Sequence, residues 1–131
     1  ARGMLQFTSD LTFDSGSDVV RPAARDRLQS LARILNASRA SGSDLRIVGH
    51  TDNQPISSPA TRQKFGTNRH LSAYRAIAVE EALRQGGMSP TRLEIAGWGE
   101  FRPLVPNRAR GGTPENRRVE IFVVPGQGSA G

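Results

Sequence analysis

The sequence predicts a fold of the α/β class, an α+β sandwich in which two helices pack on one face of a small mixed four-stranded sheet. Two observations predict it. Four short segments alternate apolar and polar residues as strands do, and two longer segments carry apolar residues at spacings of three and four. The predicted order is β-α-β-α-β-β. Strands joined through helices lie parallel, by right-handed crossovers, so the sheet should be mixed.

The first half of the chain supplies a strand, a helix and a second strand. Apolar residues in LQFTSDLTFDSG predict an extended strand that ends near Asp14; they are Phe7, Leu11 and Phe13. Pro22 suits the first position of a helix, whose buried face is predicted from residues at helical spacing: Ala24, Leu28, Leu31, Ala32 and Leu35. The helix should end within ASRASGSD. LRIVGH then forms a strand with Leu45 and Ile47 on one face.

The second half adds a helix and two strands, separated by two long polar segments. NQPISSPATRQKFG is predicted to be a loop, and long ordered loops are commonly functional. A second helix starts at Thr67 or Asn68 and stops at Gly86-Gly87, where glycine accepts a left-handed backbone. TRLEIAGWGE forms the third strand, and the glycines on either side of Trp98 indicate a bulge or a close backbone approach at the strand end. After the loop FRPLVPNRARGGTPEN, the segment RRVEIFVV forms the last strand, ended by the proline that follows it.

Length and composition fit a single domain over residues 1–131. The hydrophobic fraction is 36%, enough for a modest core, which we expect to span about residues 7–124, with residues 125–131 as a flexible tail. No stretch approaches the ~18–20 apolar residues of a membrane-spanning helix, and ARGMLQFTSD lacks the apolar region of a signal peptide. The absence of cysteine excludes disulfides and cysteine-ligated zinc. The chain begins without methionine, and we interpret it as the C-terminal part of a longer protein.

The formal net charge of +6 comes almost entirely from arginine, because Lys64 is the single lysine. A basic surface favours an anionic partner, and arginine suits two-pronged recognition of carboxylates or phosphates, although base composition of the genome would also explain it. Nucleic acid is not the expected partner. The stacking platform of single-strand binders is thin here, with Tyr74 and Trp98 as the only residues of their types. We interpret Trp98 as a packing residue.

The segment RIVGHTDNQP places a polar cluster at the end of a predicted strand. Asp52 lies just past the C-terminal end of that strand, the favoured side for ligands in such sheets. At the start of the second helix, four residues fall near one stripe: Thr67, Asn68, Leu71 and Arg75. If this helix packs beside the strand, Arg75 approaches Asp52. The pair would then form a structural salt bridge, or hold a zwitterion by binding an ammonium and a carboxylate. The residue pattern alone favours the salt bridge.

Metal and hydrolase sites are less favoured. His50, Asp52 and His70 are potential zinc ligands, but the first two also suit hydrogen bonds at a strand end, and His70 sits on a first helical turn. There is no Gly-x-Ser-x-Gly elbow, and Ser72 and the histidines lack the spacing of a triad. GGTPEN precedes a strand rather than a helix, so it does not predict a phosphate loop. We therefore expect no metal, no cofactor and no enzymatic activity.

Four motifs in order resemble the OmpA-like peptidoglycan-binding domain, the family of the C-terminal domains of OmpA, Pal and MotB. They are GHTDNQPI, TNRHLSAYRAIAVEEAL, LEIAGWGEFRPLVPN and NRRVEIFVV, and the resemblance covers about Phe7 to Val124. Each motif alone is weakly specific, but the four in register with the predicted elements are specific together. The resemblance implies a non-catalytic domain that binds the diaminopimelate residue of the peptidoglycan stem peptide.

The resemblance also assigns roles to individual residues. Asp52 matches the aspartate that receives the amino group of the ligand, and Arg75 matches the arginine that receives its carboxylate. By the same match, Thr51, Asn53, Asn68 and Leu71 line the pocket. Asp14 and Arg117 are further candidates. With these matches the zwitterion clamp, rather than a salt bridge, becomes the favoured interpretation of Asp52 and Arg75.

The loops resemble those of the branch of the family that contains MotB. The segment between Asn53 and Asn68 is longer than in compact members such as Pal, and GEFRPLVPN shows the same tendency. The resemblance implies a domain of the periplasm or cell envelope of a Gram-negative bacterium, attached to a membrane only through a segment or partner absent from this chain. Members of this branch are often homodimers. The alternative function is that of a protein-docking or oligomerisation domain of a flagellar stator or secretion-system component, without wall binding.

Overall fold

The computed structural model describes residues 3–37 and 42–126 of the chain. The strands are β1 (Met4–Thr8), β2 (Ser43–His50), β3 (Leu93–Gly99) and β4 (Arg118–Pro125). The helices are α1 (Ser9–Thr12), α2 (Pro22–Ala37), α3 (Pro59–Phe65) and α4 (Asn68–Gln85), and single 3₁₀ turns cover Pro90–Arg92 and Pro114–Asn116. Pro125 is thus the last residue of β4 rather than a residue beyond it. Residues 127–131 of the predicted tail, and 38–41 of the predicted helix end, lie outside the described residues.

The four strands form one mixed sheet in the order β1-β4-β2-β3. β4 is antiparallel to both β1 and β2, whereas β2 and β3 are parallel. The helical connection between β2 and β3 therefore joins neighbouring parallel strands, as the sequence predicted. β1 and β2 also run in the same direction, but β4 lies between them. Gly49 pairs with Gly97 and His50 with Gly99, so Trp98 is the extra residue of the predicted bulge.

The hydrophobic core lies between the sheet and the helices α2 and α4. Its fully buried members come from both helices and from the two central strands: Leu28, Val79, Leu83, Ile47, Val119 and Ile121. Glycines bring α4 close to the sheet. A Cβ on Gly49 would overlap the carbonyl oxygen of Ser72, and one on Gly97 would lie 2.8 Å from the backbone nitrogen of Ala73. The predicted two-helix layer on one sheet face is confirmed.

The prediction of one strand from Phe7 to Asp14 is wrong in its second half. β1 ends at Thr8, and the single turn α1 follows. Thr12 Oγ1 donates to the carbonyl of Thr8 at 2.8 Å, and side-chain bonds of this kind favour turns over strands. Leu11, expected on the strand's apolar face, is 68% exposed. Phe13 is buried and bridges to Val20.

The polar segment between β2 and α4 is not a plain loop, because it contains the helix α3. Ser58 caps this helix by accepting from the backbone nitrogen of Thr61 at 3.4 Å, and Pro59 occupies its first turn. Phe65 is its one buried residue and packs on Tyr74, with ring centroids 5.5 Å apart. Seven residues with one buried side chain give little periodicity to read in the sequence. Among the described residues, no helix has the length and apolarity needed to cross a membrane.

Candidate functional site

A groove of about 590 Å³ opens at the C-terminal end of β2. Its walls come from α1 and the turn after it, the residues that follow β2, the segment leading into α3 and the first two turns of α4. Asp52 and Arg75 both line it. Parallel pairing of β2 with β3 places these chain ends at one edge of the sheet, where α/β folds usually bind ligands.

Asp52 is 3% exposed and is held by three donors. Its Oδ1 accepts from the backbone nitrogen of Gln54 at 3.1 Å. Its Oδ2 accepts from the backbone nitrogen of Thr113 at 2.9 Å and from Nη1 of Arg117 at 2.6 Å. These bonds fix both carboxylate oxygens in the groove wall.

Arg117 lies between two carboxylates. Besides its bond to Asp52, it donates from Nε and Nη2 to the two carboxylate oxygens of Asp10, at 3.0 and 2.8 Å. The hydrogen bonds from Arg117 lower the pKa of Asp10, and those to Asp10 raise the pKa of Arg117. Arg117 therefore stays charged, and its bond to Oδ2 holds the Asp52 carboxylate in position.

Arg75 is 5% exposed, yet it has no carboxylate partner within ion-pair distance among residues 3–37 and 42–126. Nε donates to the carbonyl of Ser17 at 2.8 Å and Nη2 to the carbonyl of Asp14 at 3.4 Å. The guanidinium stacks over Phe13, 4.9 Å from the ring centroid. Burial lowers the pKa of Arg75 to about 10, so it remains protonated at neutral pH.

The structural salt bridge between Asp52 and Arg75 is therefore not formed. Arg117 takes the position on Asp52 that the sequence reading gave to Arg75. Carbonyl groups of the turn after α1 hold the Arg75 guanidinium on the other side of the groove. The two side chains share the groove without pairing with each other.

Most of the other candidate residues meet in the same groove. Thr51, Asn68, Leu71 and Asp14 all line it. Asn68 Nδ2 donates to the carbonyl of Gln54 at 2.8 Å, so the start of α4 is tied to the segment after β2. Asp14 is exposed at the rim, where it pairs with Arg21 at 3.0 Å.

Asn53, which the family resemblance places in the pocket, is not among the residues that line the groove. It is exposed, and it lies at the bend where Asp52 Oδ1 accepts from the backbone of Gln54. Asn53 is thus the middle residue of a turn formed by the Asp52 side chain.

Sequence reasoning missed Asp10, Phe13 and Thr113 as parts of the site. Asp10 was hidden because its segment was read as a strand. One signal for Thr113 was present, the glycine pair before it. Gly112 has φ +76°, and a Cβ there would lie 3.0 Å from Oδ2 of Asp52. Such a glycine indicates close approach of backbone to another group.

The potential metal ligands do not converge. His50 is buried on the sheet face opposite Gly49, where its Nε2 lies 2.8 Å from Oε1 of Glu120. His70 is exposed on the first turn of α4, with Nδ1 2.8 Å from the hydroxyl of Thr67. Across the described ranges, no three His, Asp or Glu residues are grouped as a metal ion would require.

The groove can therefore bind a ligand that carries both charges. It presents the buried carboxylate of Asp52 and the buried guanidinium of Arg75, whose Nη1 makes no hydrogen bond within the described part of the chain. A carboxylate accepts from an ammonium, and a guanidinium donates to a carboxylate. Neither contact requires a nucleophile or a bond-breaking step.

The chain is similar to a known protein family and to several of its members. The model of the OmpA family matches residues 12–117. The chain is 34% identical over 116 residues to the outer-membrane lipoprotein YfiB of Pseudomonas aeruginosa, covering 88% of this chain and 63% of that protein. It is 31% identical over 127 residues to motility protein B of Bacillus subtilis, covering 93% of this chain and 45% of that protein. The chain thus spans less than two thirds of either relative.

Solved structures share the fold. A putative MotB-like protein from Desulfovibrio vulgaris superimposes with a TM-score of 0.82 at 30% identity, over 95% of this chain and 76% of that one. The cell wall anchor of the T6SS from Pseudomonas aeruginosa gives a TM-score of 0.79 at 29% identity, over 95% of this chain and 82% of that one. The likeness to MotB-like structures agrees with the loop pattern of the sequence.

Proposed function

The chain belongs to the OmpA family, and from that premise we propose that it binds peptidoglycan through the diaminopimelate residue of the stem peptide. Binding is non-catalytic, and it anchors a membrane or envelope protein to the cell wall. Diaminopimelate carries an amino and a carboxyl group on its distal carbon. The charges of Asp52 and Arg75 complement that pair.

The observation that carries the proposal is that Arg75 is buried and has no ion-pair partner within the described part of the chain. A buried charge is costly unless it is paired and hydrogen-bonded. Here a nearly buried guanidinium faces a groove and is held by two carbonyl groups and one aromatic ring, and it forms no ion pair with a carboxylate of the described chain. A ligand carboxylate would supply the missing partner.

Asp52 supports the amino end of the same ligand. Oδ2 already accepts two hydrogen bonds, from Thr113 and Arg117, whereas Oδ1 accepts one from Gln54. A carboxylate oxygen has room for more than one donor, so Oδ1 is the atom available to an ammonium. Asp10, half exposed at the groove, adds negative charge on the same side.

The relatives support the anchoring role and the compartment. They include an outer-membrane lipoprotein and a structure described as the cell wall anchor of the T6SS. We place the chain in the periplasm or at the cell envelope, as the wall-binding part of a larger protein or assembly. Dimerisation would fit the MotB-like branch and remains part of the proposal.

The direct test is calorimetric titration with a diaminopimelate-containing muropeptide. We expect saturable binding by the wild type, and more than tenfold weaker binding by Asp52→Asn and Arg75→Ala, since a charge-assisted contact contributes about 1.5–3 kcal/mol. The matched control is Arg84→Ala. It removes an exposed arginine from the last turn of α4, away from the groove, and should bind as the wild type does.

A second ligand isolates the role of Arg75. Lysine is diaminopimelate without the distal carboxylate, so a lysine-containing muropeptide should bind weakly to the wild type and lose little further affinity in Arg75→Ala. Equal binding of both muropeptides would contradict the assignment of Arg75. A folded wild type that binds neither would overturn the wall-binding proposal and leave the docking alternative.

A further inference from the structure

A second exposed surface lies outside the groove, where β3 ends. We call it the loop patch, and it consists of five residues: Arg69, Trp98, Phe101, Arg102 and Leu104. Phe101 is 64% exposed and Leu104 is 53% exposed. None of the five lines the groove described above. Large apolar side chains grouped with cations on a surface indicate a binding site.

Buried polar residues hold the backbone of the loop patch in place. The side chain of Asn116, which is fully buried, accepts from the backbone nitrogens of Leu104 and Val105 at 2.8 and 3.0 Å. Its Nδ2 donates to the carbonyl of Val105 at 2.9 Å. Arg118, also buried, donates from Nη2 to the carbonyl of Arg102 at 3.2 Å. The loop is thus fixed while its apolar side chains point to solvent, which lowers the entropic cost of binding.

The two arginines of the loop patch are not neutralised. Arg102 stacks on Trp98, with Cζ 3.4 Å from the ring centroid, and Arg69 lies 5.4 Å from the same ring and 5.7 Å from that of Phe101. Neither forms an ion pair within the part of the chain that the structure describes. Glu100 is the one carboxylate between Trp98 and Asn107, so together with Arg69 and Arg102 it leaves a formal charge of +1.

From this combination we infer that the loop patch is a peripheral contact site for an anionic phospholipid membrane. Arginine beside exposed aromatic and aliphatic side chains is the composition of interfacial membrane contacts, in which the cations meet lipid phosphates and the apolar groups enter the headgroup region. The net charge of +6 adds long-range attraction to the same surface. This contact is separate from any attachment through a segment outside the chain.

The geometry favours a membrane over a strand of anionic or sugar polymer. A polymer strand is usually held in a groove, whereas Phe101 and Leu104 do not line the groove that contains Asp52 and Arg75. The face of Trp98 under Arg102 is covered, so it is not open for stacking. An exposed, fixed loop with apolar side chains suits a planar surface.

The test is co-sedimentation of the chain with phosphatidylglycerol vesicles and with phosphatidylcholine vesicles. We expect binding to the first alone, weakened by salt. Arg102→Gln should bind about fivefold less, and Phe101→Ser/Leu104→Ser at least about tenfold less. Arg108→Gln is the matched control. It removes one positive charge from the same loop, but one already paired with Glu115 at 2.6 Å, and should bind as the wild type does. Trp98, the single tryptophan, should shift its emission to the blue on binding.

The outcomes separate this inference from the proposed wall binding. The loop-patch variants should keep the muropeptide affinity of the wild type, because none of the changed residues lines the groove. No binding to phosphatidylglycerol vesicles overturns the inference. So does an equal loss in Arg108→Gln, which would reduce the effect to net charge. Unchanged vesicle binding with reduced binding to whole sacculi would assign the loop patch to the wall polymer instead.

Discussion

Arg117 binds Asp52 through a hydrogen bond of 2.6 Å between Nη1 and Oδ2, and this contact determines the charge pattern of the groove. Asp52 is paired with Arg117 and not with Arg75. Arg75 therefore faces the same groove without an ion pair to a carboxylate among the described residues. Three carboxylates and three guanidiniums line the groove: Asp10, Asp14, Asp52, Arg21, Arg75 and Arg117. Arg21 and Arg117 form ion pairs with these carboxylates, whereas Arg75 forms none within the described part of the chain. A carboxylate on a ligand would therefore complement Arg75.

Replacement of Arg75 by methionine should separate binding from stability. Arg75→Met is expected to lose muropeptide affinity by more than tenfold while its free energy of unfolding changes by about 1 kcal/mol or less, because a buried charge without an ionic partner stabilises little. Arg75→Lys should also bind weakly, since a point charge lacks the fork geometry. Urea unfolding and calorimetry measure the two quantities. A large loss of stability in Arg75→Met would assign Arg75 a structural role.

Removal of Arg117 should destabilise the chain and weaken binding together. Arg117→Gln leaves the buried carboxylate of Asp52 without its ion pair. We expect a loss of about 2–3 kcal/mol in the free energy of unfolding, less than for a fully buried pair because part of Arg117 is exposed.

The stability of Asp10→Asn should be compared with that of Arg117→Gln. It removes the outer carboxylate, which is half exposed, and should lower stability by about 1 kcal/mol or less. Urea titrations of both variants and the wild type test the difference. If Asp10→Asn proved as damaging as Arg117→Gln, the outer pair rather than the contact with Asp52 would hold this wall of the groove.

The stability of the chain should fall as the pH drops from 7 towards about 5 through His50. Burial lowers the pKa of His50 in the folded chain, with Arg118 lowering it further and Glu120 opposing. Below the ordinary value of 6.5 the unfolded chain then binds more protons than the folded chain, so acid favours unfolding.

The check on His50 is a series of melting temperatures between pH 7 and pH 5. His50→Gln should show a shallower decline than the wild type. His70→Gln, which changes the exposed histidine at the start of α4, should follow the wild type. A decline that persists unchanged in His50→Gln would place the titrating group elsewhere.

Gly49 should tolerate no side chain. In Gly49→Ala the new Cβ would meet the backbone carbonyl of Ser72, so α4 must move away from β2, at an expected loss of at least about 2 kcal/mol of stability. Gly3→Ala is the control, because its Cβ would lie at an ordinary 3.8 Å from Val123. Thermal unfolding compares the two. Equal stability would show that α4 shifts without cost and that the groove it borders is plastic.

The sequence predicted those features that repeat along the chain. Regular spacing in α2 and α4 and alternation in β2 and β4 located the core, because burial imposes a period of about 3.6 or 2 residues. The helix α3 and the turn α1 have too few buried residues to create a period, and both were missed. The family resemblance brought Asp52, Arg75 and Arg117 forward as candidates. It did not indicate that Arg117 rather than Arg75 pairs with Asp52, since that depends on where the chain turns after β3.

The position of β4 in the sheet has a mechanical consequence. Arg117 directly precedes β4, which is hydrogen-bonded to β1 on one side and to β2 on the other. A pull on a ligand held by Asp52 would enter β2 through the backbone of Thr51 and His50, and it would enter β4 through the bond from Arg117. These two strands are hydrogen-bonded to each other, and each has one further partner, β3 or β1. The load would therefore be shared by all four strands of the sheet, which suits the tethering role that we propose.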